Sequence, residues 1–171
     1  QENLIITVRE PVEGHASMNL NIAGYLGMLG GVNDQGLVIG MTGIEKKEIN
    51  KSAIPPTFII KIILDQLSNA EDAVELIVEN KKDSKIFTVS DYKIPISYAV
   101  EISPSHSYVG KWNNPVESGK PFWSIENVIR RVNLYHNQTL ATAQREAFNP
   151  SNLFSWLFGR NKYYPNWRHY N

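Results

Sequence analysis

The chain has 171 residues, enough for one compact domain, and 42% of them are hydrophobic, an ordinary fraction for a globular protein. Its 17 lysine and arginine residues balance 17 aspartate and glutamate residues, and it contains no cysteine. The charge balance argues against a dedicated nucleic-acid binder. The absence of cysteine excludes disulfides and a cysteine nucleophile within these residues. No apolar run is long enough to span a bilayer.

The first predicted strands surround a glycine-rich segment. Residues 4–8 are a β-branched run, a second strand is predicted within residues 17–22, and two more are predicted over residues 25–30 and 37–41. Residues 33–36 between the last two have asparagine and glycine, which tolerate a positive φ and favour a turn. We interpret this segment as a hairpin whose small residues permit close packing. A phosphate-binding loop is less favoured, because a strand rather than a helix follows the glycines.

Two helices are predicted next. Pro55 and Pro56 suit the first turn of a helix, and apolar residues then recur at helical spacing as far as Leu67. Residues 68–71 resemble a capping box and predict the start of a second helix. The polar stretch 80–83 predicts its end.

Three more strands are predicted over residues 85–90, 97–102 and 107–112. Strands, two helices and strands in this order lack the alternation of a doubly wound sheet, so the predicted fold class is α+β. Residues 124–135 fit either a helix or an extended segment.

Both ends of the chain suggest a longer protein. The first strand begins almost at the first residue, and residues 163–171 are rich in aromatic side chains that favour burial. We therefore expect a single domain over residues 1–171 that is truncated at its N-terminus, with further chain after Asn171.

Residue patterns alone indicate no catalytic or metal site. The histidines are widely separated, and no nucleophile elbow of the Gly-x-Ser-x-Gly type occurs. We predict no metal and no cofactor. The four histidines are His15, His106, His136 and His169.

A family resemblance adds to this description. Residues 2–9, residues 24–44 and residues 55–78 resemble, in order and spacing, segments of the isopenicillin-N acyltransferase family. These enzymes are relatives of the choloylglycine hydrolases and belong to the N-terminal-nucleophile (Ntn) hydrolases. Residues 87–91 and 98–103, which overlap two of the later predicted strands, match the family more loosely.

The resemblance implies both a fold and a mechanism. The implied fold is a four-layer αββα sandwich, incomplete in this chain. The implied reaction cleaves linear amide C–N bonds of a small-molecule amide or acyl substrate. An N-terminal cysteine attacks the carbonyl with its α-amino group as base, and the acyl-enzyme passes its acyl group to water or to an amine.

The resemblance places the family's nucleophile before Gln1. An amide side chain is not nucleophilic, so Gln1 cannot replace it, and we expect this chain alone to be inactive. The alternative hypothesis is a non-catalytic ligand-binding or protein-binding domain that retains the sandwich.

Four residues are candidates for the site by resemblance. Asn133 matches the position of a family asparagine that assists the oxyanion, although its neighbours differ. Thr42 stands where relatives often have a second asparagine, and its hydroxyl could donate instead. Tyr25, Thr42 and Gly43 are the candidate substrate-binding residues. Asn33 also matches the family, and for it we expect a structural role in the turn.

A surface property is predicted as well. The strand over residues 4–8 lacks a partner on one side, and an open sheet edge invites pairing with another chain. We therefore expect a homo-oligomer or other self-association through open edges.

Overall fold

Residues 3–44, 52, 54–118 and 127–142 are described by a computed structural model. Within them, seven strands form one antiparallel sheet in which every strand pairs with its neighbours in chain order. The aromatic stretch 163–171 lies outside the described residues, and the single domain over residues 1–171 stays a prediction. The strands are β1 (Leu4–Arg9), β2 (Ser17–Ile22), β3 (Gly30–Asn33), β4 (Leu37–Thr42), β5 (Lys85–Asp91), β6 (Ile96–Ile102) and β7 (Ser107–Lys111).

Two long helices cover one face of this sheet, which we call the helix face. The first, α1 (Pro56–Gln66), packs against β3 and β4, and the second, α2 (Ala70–Glu79), packs against β5 and β6. Two one-turn helices, α3 (Pro115–Ser118) and α4 (Gln138–Ala141), lie later in the chain. The core between helices and sheet is fully buried and includes Ile60, Ile63, Leu64, Ile77, Leu37, Phe87 and Val100.

Most of the predicted elements are confirmed, with two corrections. The strand predicted over residues 25–30 begins only at Gly30, because residues 25–29 form a loop that bonds to the start of α1: Met28 N–H donates to Thr57 O at 3.1 Å. The N-cap of α2 is Asn69, whose side chain accepts from Asp72 N–H, and not the preceding Ser68. The Ser68 hydroxyl lies instead 3.1 Å from His15 Nε2.

The turn between β3 and β4 depends on Asn33, as expected. Its Oδ1 accepts from Leu37 N–H at 3.0 Å, and its Nδ2 donates to Leu67 O at 2.8 Å. This buried side chain therefore links the hairpin to the end of α1. Close packing on the hairpin is also confirmed, since a Cβ on Gly31 would lie 2.5 Å from Met18 O.

The opposite face of the sheet, which we call the open face, exposes apolar side chains among the described residues. Alternate residues of β1 and β2 form paired rows there. The exposed members are Leu4, Ile6, Val8, Met18, Leu20 and Ile22. The observed sheet and helix layer confirm the α+β class and correspond to two of the four layers of the expected sandwich.

Candidate functional site

One end of the sheet combines the start of β1 with the end of β4. Pairing aligns Thr42 with Ile86, Ile86 with Glu101, and Glu101 with Tyr108, so these residues form one row across four strands. Leu4 pairs with Ile22 at the same end of β1 and β2. β1 therefore begins at the end of the sheet where β4 finishes.

Asn133 contacts this end of the sheet from a distant part of the sequence. Its Nδ2 donates to Gly43 O at 2.7 Å across 90 residues. A side-chain amide has two N–H groups. The second N–H of Asn133 and its Oδ1 have no partner among the described residues, and the side chain is exposed.

Three of the four predicted site residues are thus close together. Thr42 ends β4, Gly43 follows it, and Asn133 bonds to Gly43. Sequence reasoning overlooked Lys85, whose Nζ lies 4.0 Å from the position that a Cβ on Gly43 would occupy. This arrangement places one amide donor and one ammonium group at the end of β4.

Tyr25 lies in the loop between β2 and β3 rather than beside Asn133. Its hydroxyl is 3.2 Å from Thr57 Oγ1 at the start of α1, and its ring is partly exposed. The loop is at the same end of the sheet as Thr42, because β2 ends and β3 begins there. The structure gives no contact between Tyr25 and the other three residues.

A buried ion cluster lies next to the candidate site on the open face. We define the Glu101 cluster as Glu101, Tyr108, Glu117 and Arg131. Arg131 Nε donates to Glu101 Oε1 at 2.8 Å, and its two terminal nitrogens donate to the Glu117 carboxylate at 2.8 and 2.9 Å. Tyr108 OH donates to Glu117 Oε1 at 2.7 Å. The side chains of Glu101, Arg131 and Glu117 are only 0%, 2% and 8% exposed.

The two carboxyl groups of the cluster have pKa values shifted in opposite directions. Burial raises the pKa of Glu101, and the Arg131 charge and two main-chain N–H groups offset only part of that rise. Burial also acts to raise the pKa of Glu117, but the hydrogen bonds and charge of Arg131, with the Tyr108 hydroxyl, bring it below its usual value. Burial and the bond to Glu117 raise the pKa of Tyr108 to about 12.

Sequence reasoning did not identify this cluster. One signal was available, because Glu101 is the one charged residue of its strand and lies between the apolar Val100 and Ile102. A carboxylate at such a position is buried at a cost unless a cation pairs with it. The partner, Arg131, is 30 residues away in a stretch with no regular pattern.

Neither a metal site nor a membrane-spanning helix is found in the described part of the chain. Among residues 3–44, 54–118 and 127–142, no three histidine, aspartate or glutamate side chains group as metal ligands would. No helix there is long and apolar enough to cross a bilayer.

Comparisons with known proteins add independent information. The sequence model of the family described as "Acyl-coenzyme A:6-aminopenicillanic acid acyl-transferase" matches residues 1–153. A variant of conjugated bile acid hydrolase from Clostridium perfringens is similar in structure, with a TM-score of 0.50 and 16% identity. The match covers 68% of this chain and 44% of that one.

A penicillin V acylase from Agrobacterium tumefaciens also matches, at a TM-score of 0.45 and 18% identity. That match covers 57% of this chain and 33% of the acylase. No curated protein sequence matches the chain. The chain thus spans less than half the length of the solved relatives, and its likeness to the bile acid hydrolase is a likeness of fold.

Proposed function

Because the chain belongs to the acyl-coenzyme A:6-aminopenicillanic acid acyl-transferase family, we propose that it is part of an Ntn-type hydrolase or acyltransferase. Membership confirms the resemblance found in residues 2–9, 24–44 and 55–78. The proposed substrate is a small molecule with a linear amide bond, cleaved through an acyl-enzyme. The proposed nucleophile is a cysteine in chain that precedes Gln1.

The observation that carries this proposal is the contact between Asn133 and Gly43. It brings an amide donor to the end of the sheet at which β1 begins. Three inter-strand spacings separate β1 from β4, about 14 Å in all. A few extended residues cover that distance, so a nucleophile shortly before β1 can approach Thr42 and Asn133.

The chemistry needs donors at the position where negative charge develops. The thiol of the proposed cysteine gives its proton to the α-amine as sulfur bonds to the amide carbon. The carbonyl oxygen becomes an oxyanion, and collapse expels the amine, which takes the proton. The second N–H of Asn133 and the hydroxyl of Thr42 are the proposed oxyanion donors, and such donors are typically worth 10²–10³ in kcat. Whether water or an amine then accepts the acyl group decides between hydrolysis and transfer.

Substrate contacts are proposed for the same end of the sheet. Thr42, Gly43 and Tyr25 belong to the end of β4 and to the loop before β3. Their main-chain groups and hydroxyls could orient an amide. Asn133 remains the proposed catalytic residue. Tyr25, Thr42 and Gly43 remain proposed substrate-binding residues, and the Thr42 hydroxyl is in addition the second proposed oxyanion donor.

A non-catalytic binding domain is the second candidate. Thr42 favours it, because relatives often have an asparagine at that position and a hydroxyl supplies one donor where an amide supplies two. Such a domain would bind an amide or acyl ligand at the same end of the sheet without turnover.

The test compares the protein expressed from its complete reading frame with residues 1–171 alone. We expect the longer protein to cleave itself before a cysteine, detected by intact mass, and to release amine from a simple acyl-amide. Residues 1–171 should show neither. If the complete protein neither cleaves itself nor turns over amides but binds an acyl compound in calorimetry, the binding domain replaces the enzyme.

A further inference from the structure

We propose that Glu101 is a positioning residue for Asn133. Its carboxylate bonds to the chain on both sides of the loop 132–135, and Asn133 lies within that loop. The consequence for catalysis rests on the proposed function above. The structural part, that Glu101 orders the loop, stands on the contacts alone.

Both ends of the loop meet the same carboxylate. On the N-terminal side, Arg131 Nε donates to Glu101 Oε1 at 2.8 Å. On the C-terminal side, His136 N–H lies 3.1 Å from Oε2 and 3.2 Å from Oε1, and Asn137 N–H donates to Oε2 at 3.1 Å. A single buried side chain of β6 therefore bonds to both ends of the loop, and the Tyr135 hydroxyl adds a bond to Ile102 O of the same strand. The loop has no regular secondary structure beyond one bridge, Val132 to Leu134.

The carboxylate suits this role because it only accepts hydrogen bonds when it is ionised. Each described group that hydrogen-bonds to it is a donor: a guanidinium on one side and two main-chain N–H groups on the other. A glutamine at this position would turn one NH₂ group toward a donor. The neutral isostere would therefore lose contact with one end of the loop.

Glu117 completes the arrangement by orienting the guanidinium. Its carboxylate accepts two bonds from Arg131 in the fork geometry that arginine and carboxylates favour. Gly110 leaves the room for it, since a Cβ there would collide with the Glu117 side chain. Arg131 thus has its Nε directed at Glu101 and its terminal nitrogens directed at Glu117.

The position of Glu101 in the sheet links the loop to the candidate site. Glu101 pairs with Ile86, which pairs with Thr42. Two strand spacings, about 10 Å, separate the carboxylate from the end of β4. When the loop is bonded to Glu101, it can place the Asn133 amide against Gly43. Without the bonds to Glu101, no other described hydrogen bond would hold the loop at the end of β4.

Hydrogen exchange tests the structural part. The reporter is the Leu134 amide, which donates to Val132 O at 2.8 Å and does not touch Glu101. In the complete protein, Glu101→Gln should accelerate its exchange at least tenfold. The matched control is Asp65→Asn, which makes the same change in an arginine-paired carboxylate at the other end of the sheet and should leave Leu134 exchange unchanged.

If Glu101→Gln does not fold, Arg131→Lys is the second variant, since lysine keeps the charge but cannot contact both carboxylates in a fork. Unchanged exchange of Leu134 in the variant that folds, or equal acceleration in Asp65→Asn, would overturn the inference.

A double-mutant comparison tests the catalytic consequence. We expect Glu101→Gln to lower kcat more than tenfold with little change in KM. In an Asn133→Ala background the same change should lower kcat less than twofold, because there is no amide left to position. Equal losses in both backgrounds would assign Glu101 a general structural role. If Glu101→Gln accelerates Leu134 exchange but the complete parent protein turns over no amide, the proposed function is wrong and the loop assignment stands.

Discussion

Asn133 donates a hydrogen bond from its side-chain amide to the main-chain oxygen of Gly43 at 2.7 Å, although 90 residues separate the two. The bond fixes one N–H of the amide, and no described residue accepts from the second. It also joins an irregular segment to the end of β4, where the family resemblance places an oxyanion donor. Its consequences for catalysis and for stability can be separated by mutation.

Asn133→Ala should lower kcat of the complete protein by about 10²–10³, the usual cost of removing one oxyanion donor. Stability should change little, because the side chain is exposed and makes one described hydrogen bond. Steady-state kinetics and urea unfolding measure the two effects. Asn127→Gly is the matched control, because Asn127 is an exposed asparagine in the same segment with a positive φ of 56° that glycine adopts without strain, and it should leave kcat intact. Full activity of Asn133→Ala would remove Asn133 from the catalytic machinery.

The sheet was largely predictable from the sequence because its strands are short segments that are rich in β-branched residues or alternate apolar with polar residues. Residues 4–8, 17–22 and 97–102 all fall within observed strands. The strand predicted over residues 25–30 begins only at Gly30, because tertiary contacts outweigh the local pattern in residues 25–29. There, the loop bonds to Thr57 of α1 and Gly24 adopts a positive φ of 81°.

The candidate site was predictable only through family resemblance. Asn133 has no pattern around it, and its contact with Gly43 depends on how residues 127–142 cross the sheet. The Glu101 cluster could not be predicted from spacing, because an ion pair across 30 residues leaves no periodic signal. Long-range contacts of this kind can be identified only once the fold is known.

Gly31→Ala tests the close packing of β2, β3 and α1. The added Cβ would lie 2.5 Å from Met18 O and 3.0 Å from Leu64 Cδ1, and the main-chain oxygen cannot move aside cheaply. We expect the free energy of unfolding to fall by about 1–3 kcal/mol. Gly40→Ala is the control, since its Cβ would meet only Thr88 Oγ1 at an ordinary 3.6 Å. Equal stability of the two variants in urea unfolding would contradict the packing argument.

Asn69→Ala tests the corrected start of α2. The Asn69 side chain accepts from Asp72 N–H at 2.9 Å, and losing an N-cap acceptor costs about 1 kcal/mol. Asn69→Ser keeps an acceptor and should recover most of that loss. Chemical denaturation of both variants measures the difference. If alanine and serine are equivalent here, the cap contributes nothing to stability.

The pKa of Asp65 predicts how stability depends on acid. Burial acts to raise this pKa, but hydrogen bonds and charge from Arg9 and Lys61 lower it below its ordinary value of 3.8. The native state therefore binds the proton less readily than the unfolded state does. The stability that Asp65 contributes is complete above pH 3.8 and is lost as the pH falls through the lower native pKa.

Unfolding of Asp65→Asn should consequently be less sensitive to pH below 4 than unfolding of the parent, while the variant is less stable near neutrality. Denaturant midpoints between pH 2 and 7 measure both effects. Parallel curves for parent and variant across this range would show that Asp65 has the same pKa in both states.

Ile6→Lys tests the predicted self-association through the open edge. Ile6 lies in the edge strand β1 with 71% of its surface exposed, among other exposed apolar residues of β1 and β2. Residues 1–171 should associate as concentration rises, and a lysine on an edge strand opposes strand pairing by charge and hydration. Val12→Lys is the matched control, because Val12 is fully exposed in the turn outside the sheet. Light scattering should show a smaller mean mass for Ile6→Lys than for the parent and an unchanged mass for Val12→Lys. A parent chain that stays monomeric at high concentration would show that the edge of β1 does not pair.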